Sequence, residues 1–282
     1  VGGGPYIIEE AYPLARPGLP LILVAQFNGY TAQQYNVAGR VVEELEKEIA
    51  ASQLISTTVA IWPDPVRQTA DAQAALQQSK AAAIIWGEYD SGRVRAALTL
   101  SEQLNTQHLD FALSSPDDLM TTINQQVPAE VRMFALLTMG TVYQLNRFYA
   151  DSGRKYREAL ELNPASQKTR ALLNFYLANT VSKTGALSAY DEAIGYDSAA
   201  LALNPQLHMA LYNRGTLWYK RSQLLAPHDP QVTENLDAAI ADFSATLAAR
   251  PDYLPAYQNR GIAYYERNQP GDQQLAIQDF DQ

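Results

Sequence analysis

Two stretches, LYNRGTLWY at residues 211–219 and AYQNRGIAYY at residues 256–265, decide the fold of the C-terminal half. They share an Asn-Arg-Gly core, Asn213-Arg214-Gly215 and Asn259-Arg260-Gly261, and their glycines stand 46 residues apart. Self-similarity at a fixed period marks a chain that stacks one supersecondary unit on the next. Glycine inside a helical pattern costs ~1 kcal/mol relative to alanine, so a glycine recurring there points to a crossing where a neighbouring helix fills the missing side chain.

Working outward, the pattern returns with Gly140, Tyr143, Tyr156 and Ala159 ahead of Pro164, with Ser152 as a small residue between. Another unit ends at Pro205 in AALALNP; there Asn174 stands near the glycine position and Leu177 near the tyrosine position. The third unit holds Leu211, Gly215, Trp218, Ala239, Phe243 and Pro251, and the fourth holds Tyr257, Gly261, Tyr264 and Phe280. Extra residues are expected between the paired helices around 182–189 and 224–233. Small residues where helices cross, large ones between them and a closing proline make residues 129–282 resemble a tetratricopeptide-repeat array of about 3.5 repeats. The last helix is expected to be cut short, with the parent protein continuing.

The resemblance implies a scaffold that binds a protein or peptide on the inner face of the first helix of each repeat. Carried onto this chain, that face takes Phe134, Leu137, Thr141 and Gln144, then Lys168, Ala171 and Phe175. Later repeats add Met209, Tyr212, Asn213, Thr216 and Tyr219, then Gln258, Asn259, Ile262 and Tyr265. Chaperone-binding members grip a terminal carboxylate with several Lys, Arg and Asn residues at such positions. Lys168 is the main cation here, so that clamp is incomplete, and an internal peptide or helix of mixed apolar and polar character is expected instead. Tyrosine and amide side chains suit such a partner, offering apolar area with a hydrogen-bonding end.

The N-terminal half alternates element types. Residues 1–19, with three consecutive glycines and prolines at 5, 13 and 17, read as an arm or linker. Leu21–Phe27 is apolar without alternation, as in a strand buried on both faces. A long helical pattern over 30–52 follows, with Thr31 as a candidate N-cap. Strand-like 56–62, helical 66–80, strands at 82–86 and 93–100 joined through Asp90-Ser91-Gly92, and a short strand near 109–113 complete the order. The β-α-β-α-β-β order implies a small mixed sheet with three parallel strands and an antiparallel hairpin. The expected domains are therefore an α/β unit over 20–115, a connector over 116–128 and the array.

With LILVAQF and VAGRVVEELEKEIAAS before it, the stretch AAAIIWGEYDSGRVRAALTL is similar to the N-terminal domain of TolB. It also resembles the related domain that precedes helical repeats in bacterial signalling and periplasmic proteins. The likeness implies a binding or assembly module without catalytic residues. It leaves an alternative in which the chain is a ligand-sensing or regulatory segment of a larger bacterial signalling protein.

Composition narrows the function further. The net charge is −9, with 12 acidic and 7 basic side chains through residue 115 and 18 and 14 after it. Neither half offers the positive surface that displaces counterions from phosphates, so nucleic acid is not an expected partner. No stretch approaches the ~20 apolar residues of a membrane span. The chain has no cysteine, which removes thiolate chemistry and Cys-based zinc. The cysteine-free composition favours an extracytoplasmic, periplasmic or cell-surface setting over a cytoplasmic one. Starting at Val1 instead of methionine, the chain is expected to follow a segment that was removed or not included.

Catalysis, cofactors and metals are not expected. His108, His208 and His228 form no ligand spacing, the loop AQFNGYTAQQ has one glycine where a phosphate site needs a cluster, and no serine has a G-x-S-x-G setting. Glu88 and Asp90 are read as hairpin residues and Glu9-Glu10 as part of the arm. Tyr143, Tyr156, Trp218, Phe243, Tyr257, Tyr264 and Phe280 are read as core.

Overall fold

In a computed structural model, the described residues are 13–15, 20–29, 36–51, 57–89, 93–101, 106–112, 127–164 and 166–282; side chains are described for all of these but 93–94, 106–112, 127–131 and 134. Thr31, the 90–92 turn, most of the arm and nearly all of the connector lie outside them, as do the side chains of His108 and Phe134. The chain divides into two compact units, residues 1–145 and 146–282.

The first unit is built on a six-stranded sheet in the order β3-β1-β4-β5-β6, with a short β2 paired to β4. β1 is Leu21–Ala25, β2 Asn28–Gly29, β3 Thr58–Trp62, β4 Ala83–Tyr89, β5 Arg93–Leu100 and β6 Thr106–Ala112. β1 runs parallel to β3 and β4, whereas β5 is antiparallel to β4 and β6. All five residues of β1 are buried because the strand has neighbours on both edges and cover on both faces. Leu21, Leu23 and Ala25 pack with Ala72, Ala75 and Leu76 of helix α2, Thr69–Ser79. Ile22 and Val24 point to the opposite face by the pleat.

Helix α1, Val37–Ala51, buries Val37, Val41, Leu45 and Glu48. Burying Glu48 is possible because Arg132 on helix α3, Val127–Leu145, donates from Nε to its Oε1 at 3.1 Å. α3 packs against α1 and belongs to the first unit, so the border at 145/146 falls inside the segment that the repeat spacing assigns to the first tetratricopeptide unit. Within the span read as an arm, Ala15 is anchored: its N–H donates to the Ser79 carbonyl at 2.8 Å and it packs on the sheet core.

The second unit is a run of helices: α4 Tyr149–Glu161, α5 Gln167–Val181, α6 Leu187–Leu203, α7 His208–Gln223, α8 Pro230–Ala249, α9 Leu254–Arg267 and α10 Asp272–Phe280. Each packs against the next. Just past α4 and α9, Asn163 and Asn268 adopt the left-handed conformation that ends a helix. The extra residues after α5 form a 3₁₀ turn, Ser182–Thr184, closed by Gly185 at φ +71°. Those after α7 form a turn in which Asp229 caps α8, its carboxylate accepting from the Gln231 N–H at 2.9 Å, with Pro230 in the first helical turn. Of the expected insertion, 224–229 form this turn and 230–233 open α8.

The crossings depend on the glycines. A Cβ on Gly215 would sit 2.9 Å from the Phe243 ring, and one on Gly261 2.6 Å from Phe280. Gly140 lies inside α3 and is buried. Tyr156 is buried and stacks on Tyr176 with ring centroids 5.3 Å apart.

Candidate functional site

The Asn-Arg-Gly core is an inter-repeat clasp. Next to the glycine that lets α8 approach α7, Arg214 donates from Nε and Nη2 to Asp242 at 2.8 and 2.7 Å, and from Nη1 to Ser198 on α6 at 3.1 Å. Arg260 repeats this with Asp279 at 2.8 and 2.7 Å and with Ser244 on α8 at 3.0 Å. A second row lies one helical stretch further on. Arg221 joins Asp191 on α6 at 2.7 Å to Asn235 on α8 at 3.1 Å. Arg267 joins Asp237 at 2.7 Å to Asp272 at 2.9 Å (Nε) and 2.6 Å (Nη2). Each planar fork ties one helix to both its neighbours, and the bidentate geometry sets their register. Sequence reading took the shared Arg as repeat pattern alone. The signal was present: Arg221 and Arg267, Asp191 and Asp237, and Ser198 and Ser244 all share the 46-residue period.

One crossing departs from the rule, and reading for large residues passed over it. Counting eight back from each closing proline reaches Tyr156, Asp197 and Phe243. The second repeat thus places Asp197 where its neighbours hold a ring, opposite a glycine position occupied by Asn174. Asp197 is fully buried; its Oδ2 accepts from Asn213 Nδ2 at 2.7 Å, while Oδ1 has no partner. Burial pushes this carboxyl up to about 8, against the opposing pull of the Asn213 hydrogen bond and Arg214.

The predicted inner-face residues divide into buried and accessible sets. Leu137, Thr141, Ala171 and Phe175 are buried, with Thr141 Oγ1 bonded back to the Leu137 carbonyl. Gln144 and Met209 are half-buried, and Lys168 and Gln258 are exposed. On α7 and α9 the structure brings several together. Asn259 Nδ2 donates to Tyr212 OH at 3.0 Å, and the Tyr212 ring meets Tyr253 edge-on at 5.1 Å and Phe243 at 5.9 Å. Tyr219 OH donates to Glu266 Oε1 at 2.7 Å, and Gln223 donates to the other oxygen. Partial burial and the Glu266 carboxylate push the Tyr219 phenol up to about 12, so it remains a donor at neutral pH. Thr216 is half-buried and bonds back to the Tyr212 carbonyl, while Ile262 and Tyr265 are exposed.

In the α/β unit, WGEY is a packing motif. Trp86 Nε1 donates to Thr99 Oγ1 at 3.0 Å inside the core. Gly87 is required because a Cβ there would strike the Arg95 carbonyl and the Phe27 ring. Glu88 pairs with Arg95 at 2.7 Å on the surface. Gly29, the lone glycine of the loop after β1, makes room for the buried Tyr89 ring. A cleft of about 200 Å³ lies beside these residues, lined by Asn28, Arg67, Trp86, Glu88 and Arg95 among others. His208 packs edge-on against Tyr253 at 6.2 Å, and desolvation lowers its pKa; His228 is exposed in the turn before α8.

No protein-family profile and no curated protein matches the chain. Among solved structures it is similar to MamA at 19% identity over 59% of this chain and 84% of that one, with a TM-score of 0.43. YrrB, described as a TPR protein with an unusual peptide-binding site, aligns at 18% identity over 59% of this chain and 82% of that one, TM-score 0.42. The first TPR of Spaghetti (RPAP3), bound to an HSP90 peptide, aligns at 17% over 47% and 90%, TM-score 0.39. The six-stranded sheet with its helices, and then the paired helices with their glycine crossings and arginine clasps, make this chain a small α/β unit followed by an array of helical repeats.

Proposed function

We propose that the array is a non-enzymatic protein-interaction scaffold whose inner face takes an internal peptide or a helix of mixed apolar and polar character. The observation that carries this reading is the row of accessible tyrosine, amide and isoleucine side chains on α7 and α9, centred on Tyr212, Tyr219, Ile262 and Tyr265. Rigid aromatics with polar tips bind with little entropy loss. A carboxylate clamp is disfavoured because Asn213 and Asn259 already donate to Asp197 and Tyr212. Selection from a displayed peptide library, followed by calorimetry, tests the reading. The variant Tyr212→Ala/Tyr219→Ala/Tyr265→Ala should keep its helical circular dichroism and bind selected peptides at least ~10-fold more weakly, as for central aromatic contacts. Undiminished binding by that variant would remove the inner face from the function.

The cleft beside Glu88 favours a second reading, in which the α/β unit, read as TolB-like, senses a small acidic ligand through Arg67 and Arg95. Small carboxylates and phosphates should then raise the melting temperature of the wild type and not of Arg67→Ala; equal shifts in both would dismiss it.

A further inference from the structure

The cleft of the α/β unit is assembled from four separate stretches of chain. Asn28 comes from β2, Arg67 from the turn before α2, Trp86 and Glu88 from β4, and Arg95 and Ala97 from β5. It lies toward the carboxyl ends of the parallel strands. β1 stands between β3 and β4, so the chain leaves β1 toward one side and later returns past it to the other. Open α/β sheets hold small ligands at the carboxyl ends beside such a reversal.

Strand register sets what meets what. Trp86 pairs with Ala97 and Glu88 with Arg95 across β4 and β5, and Asn28 pairs with Glu88 across β2 and β4. Opposite the Trp86 ring stands only the Ala97 methyl, which leaves apolar room on the floor of the cleft. The ring itself is fixed by its Nε1 hydrogen bond to Thr99. The rim is polar and of mixed sign. Glu88 gives Oε1 to Arg95 Nη1 at 2.7 Å, which leaves Oε2 as a further acceptor. Asn28 donates from Nδ2 to the Val66 carbonyl at 3.0 Å, so Oδ1 is the end of its amide that accepts. Arg67 is exposed, and its guanidinium makes no hydrogen bond or ion pair with a described residue; only its backbone N–H is engaged, by Asp71.

Resting on the ligand-sensing reading of the α/β unit, we propose that this cleft takes a free α-amino acid with an apolar side chain. Arg67 holds the carboxylate, its planar fork matching two oxygens. Glu88 and the Asn28 Oδ1 hold the ammonium, and the side chain lies on Ala97 and Trp86. Charge separates this ligand from a plain acid. A dicarboxylate reaching both arginines would set its own charge against Glu88, whereas a zwitterion satisfies both signs of the rim. Size agrees: at about 200 Å³ the cleft is smaller than the ~300–1,000 Å³ of sites for drug-sized molecules and suits a single amino acid.

Calorimetry on the full chain with L-leucine tests this, beside two truncated forms: isocaproate, which lacks the ammonium, and isoamylamine, which lacks the carboxylate. Leucine should bind one-to-one, and each truncated form at least ~10-fold more weakly, the effect of losing one hydrogen bond between charged groups. Glu88→Gln should lower leucine to the level of isocaproate, and Arg67→Ala should lower it to the level of isoamylamine. Glu88 and Arg67 both reach solvent, so circular dichroism should show both variants folded. Isocaproate binding as tightly as leucine, or leucine binding unchanged by Glu88→Gln, would overturn the amino-acid assignment and leave the acid-sensing reading standing. Absence of leucine binding would overturn the assignment too; if succinate and phosphate then also fail to raise the melting temperature, the acid-sensing reading falls with it.

Discussion

At the scale of single residues, the glycines of this chain have opposite roles. A Cβ on Gly215 meets Phe243 at 2.9 Å and Asp242 Cβ at 3.2 Å, whereas one on Gly195 in α6 meets nothing within 4 Å. Gly215→Leu should therefore destabilise by ~1–3 kcal/mol through overpacking. Gly195→Ala should stabilise by ~0.5–1 kcal/mol through helix propensity. Chemical denaturation of both variants checks the pair, and equal changes would contradict the crossing. Asp197 gives a second test. Its folded pKa is raised to about 8 from 3.8, so across that window the folded state holds a proton that the unfolded chain has released. Stability from this group then falls as pH rises through the window, by no more than about 1.4 kcal/mol per pH unit, and levels off above it. Asp242 adds to the shift and Arg214 opposes it. Asp197→Asn should have a flatter stability profile than the wild type and gain on it between pH 5 and 8.5; parallel melting curves would show a carboxylate with no such strain.

At the scale of elements, helices are held by forks of differing worth. The Arg214–Asp242 pair is largely sheltered, with side chains 25% and 7% exposed. Arg214→Ala strands the Asp242 carboxylate in the interior and should cost ~3–5 kcal/mol. Arg214→Lys keeps the charge and loses the two-pronged geometry, so it should fall between the two. The exposed Arg250–Asp252 pair at the α8–α9 turn is a control, and its Arg250→Ala variant should melt where the wild type does. A measured loss for Arg250→Ala equal to that for Arg214→Ala would dissolve the distinction.

At the scale of the whole molecule, each unit has its own gradient of protection. β1 is flanked on both edges and fully buried, so its amides should exchange slowest in the first unit. In the array each helix depends on its neighbours, so α7 and α8 should exchange more slowly than α10, whose Ile277 and Phe280 are open. Hydrogen exchange read by mass spectrometry gives this order directly, and slower exchange in α10 than in α8 would contradict it.

By itself, the sequence determined what is local and periodic. The unalternating apolar run of β1, the turn residues between helices, and the glycine and aromatic residues at a 46-residue period carry their meaning in residue type and spacing, because backbone conformation and helix crossing respond to those directly. Tertiary structure decided what depends on which surfaces meet. α3 lies against α1, where Glu48 and Arg132 meet across a wide sequence separation, which no repeat count contains. Glycines 29 and 87 are required by a ring and a carbonyl brought in from other strands. Which of the predicted inner-face residues are accessible also emerged only on folding. Leu137, Ala171 and Phe175 share repeat positions with Tyr212 and Ile262, yet their neighbours bury them, since exposure belongs to the surroundings of a side chain and not to its place in a motif.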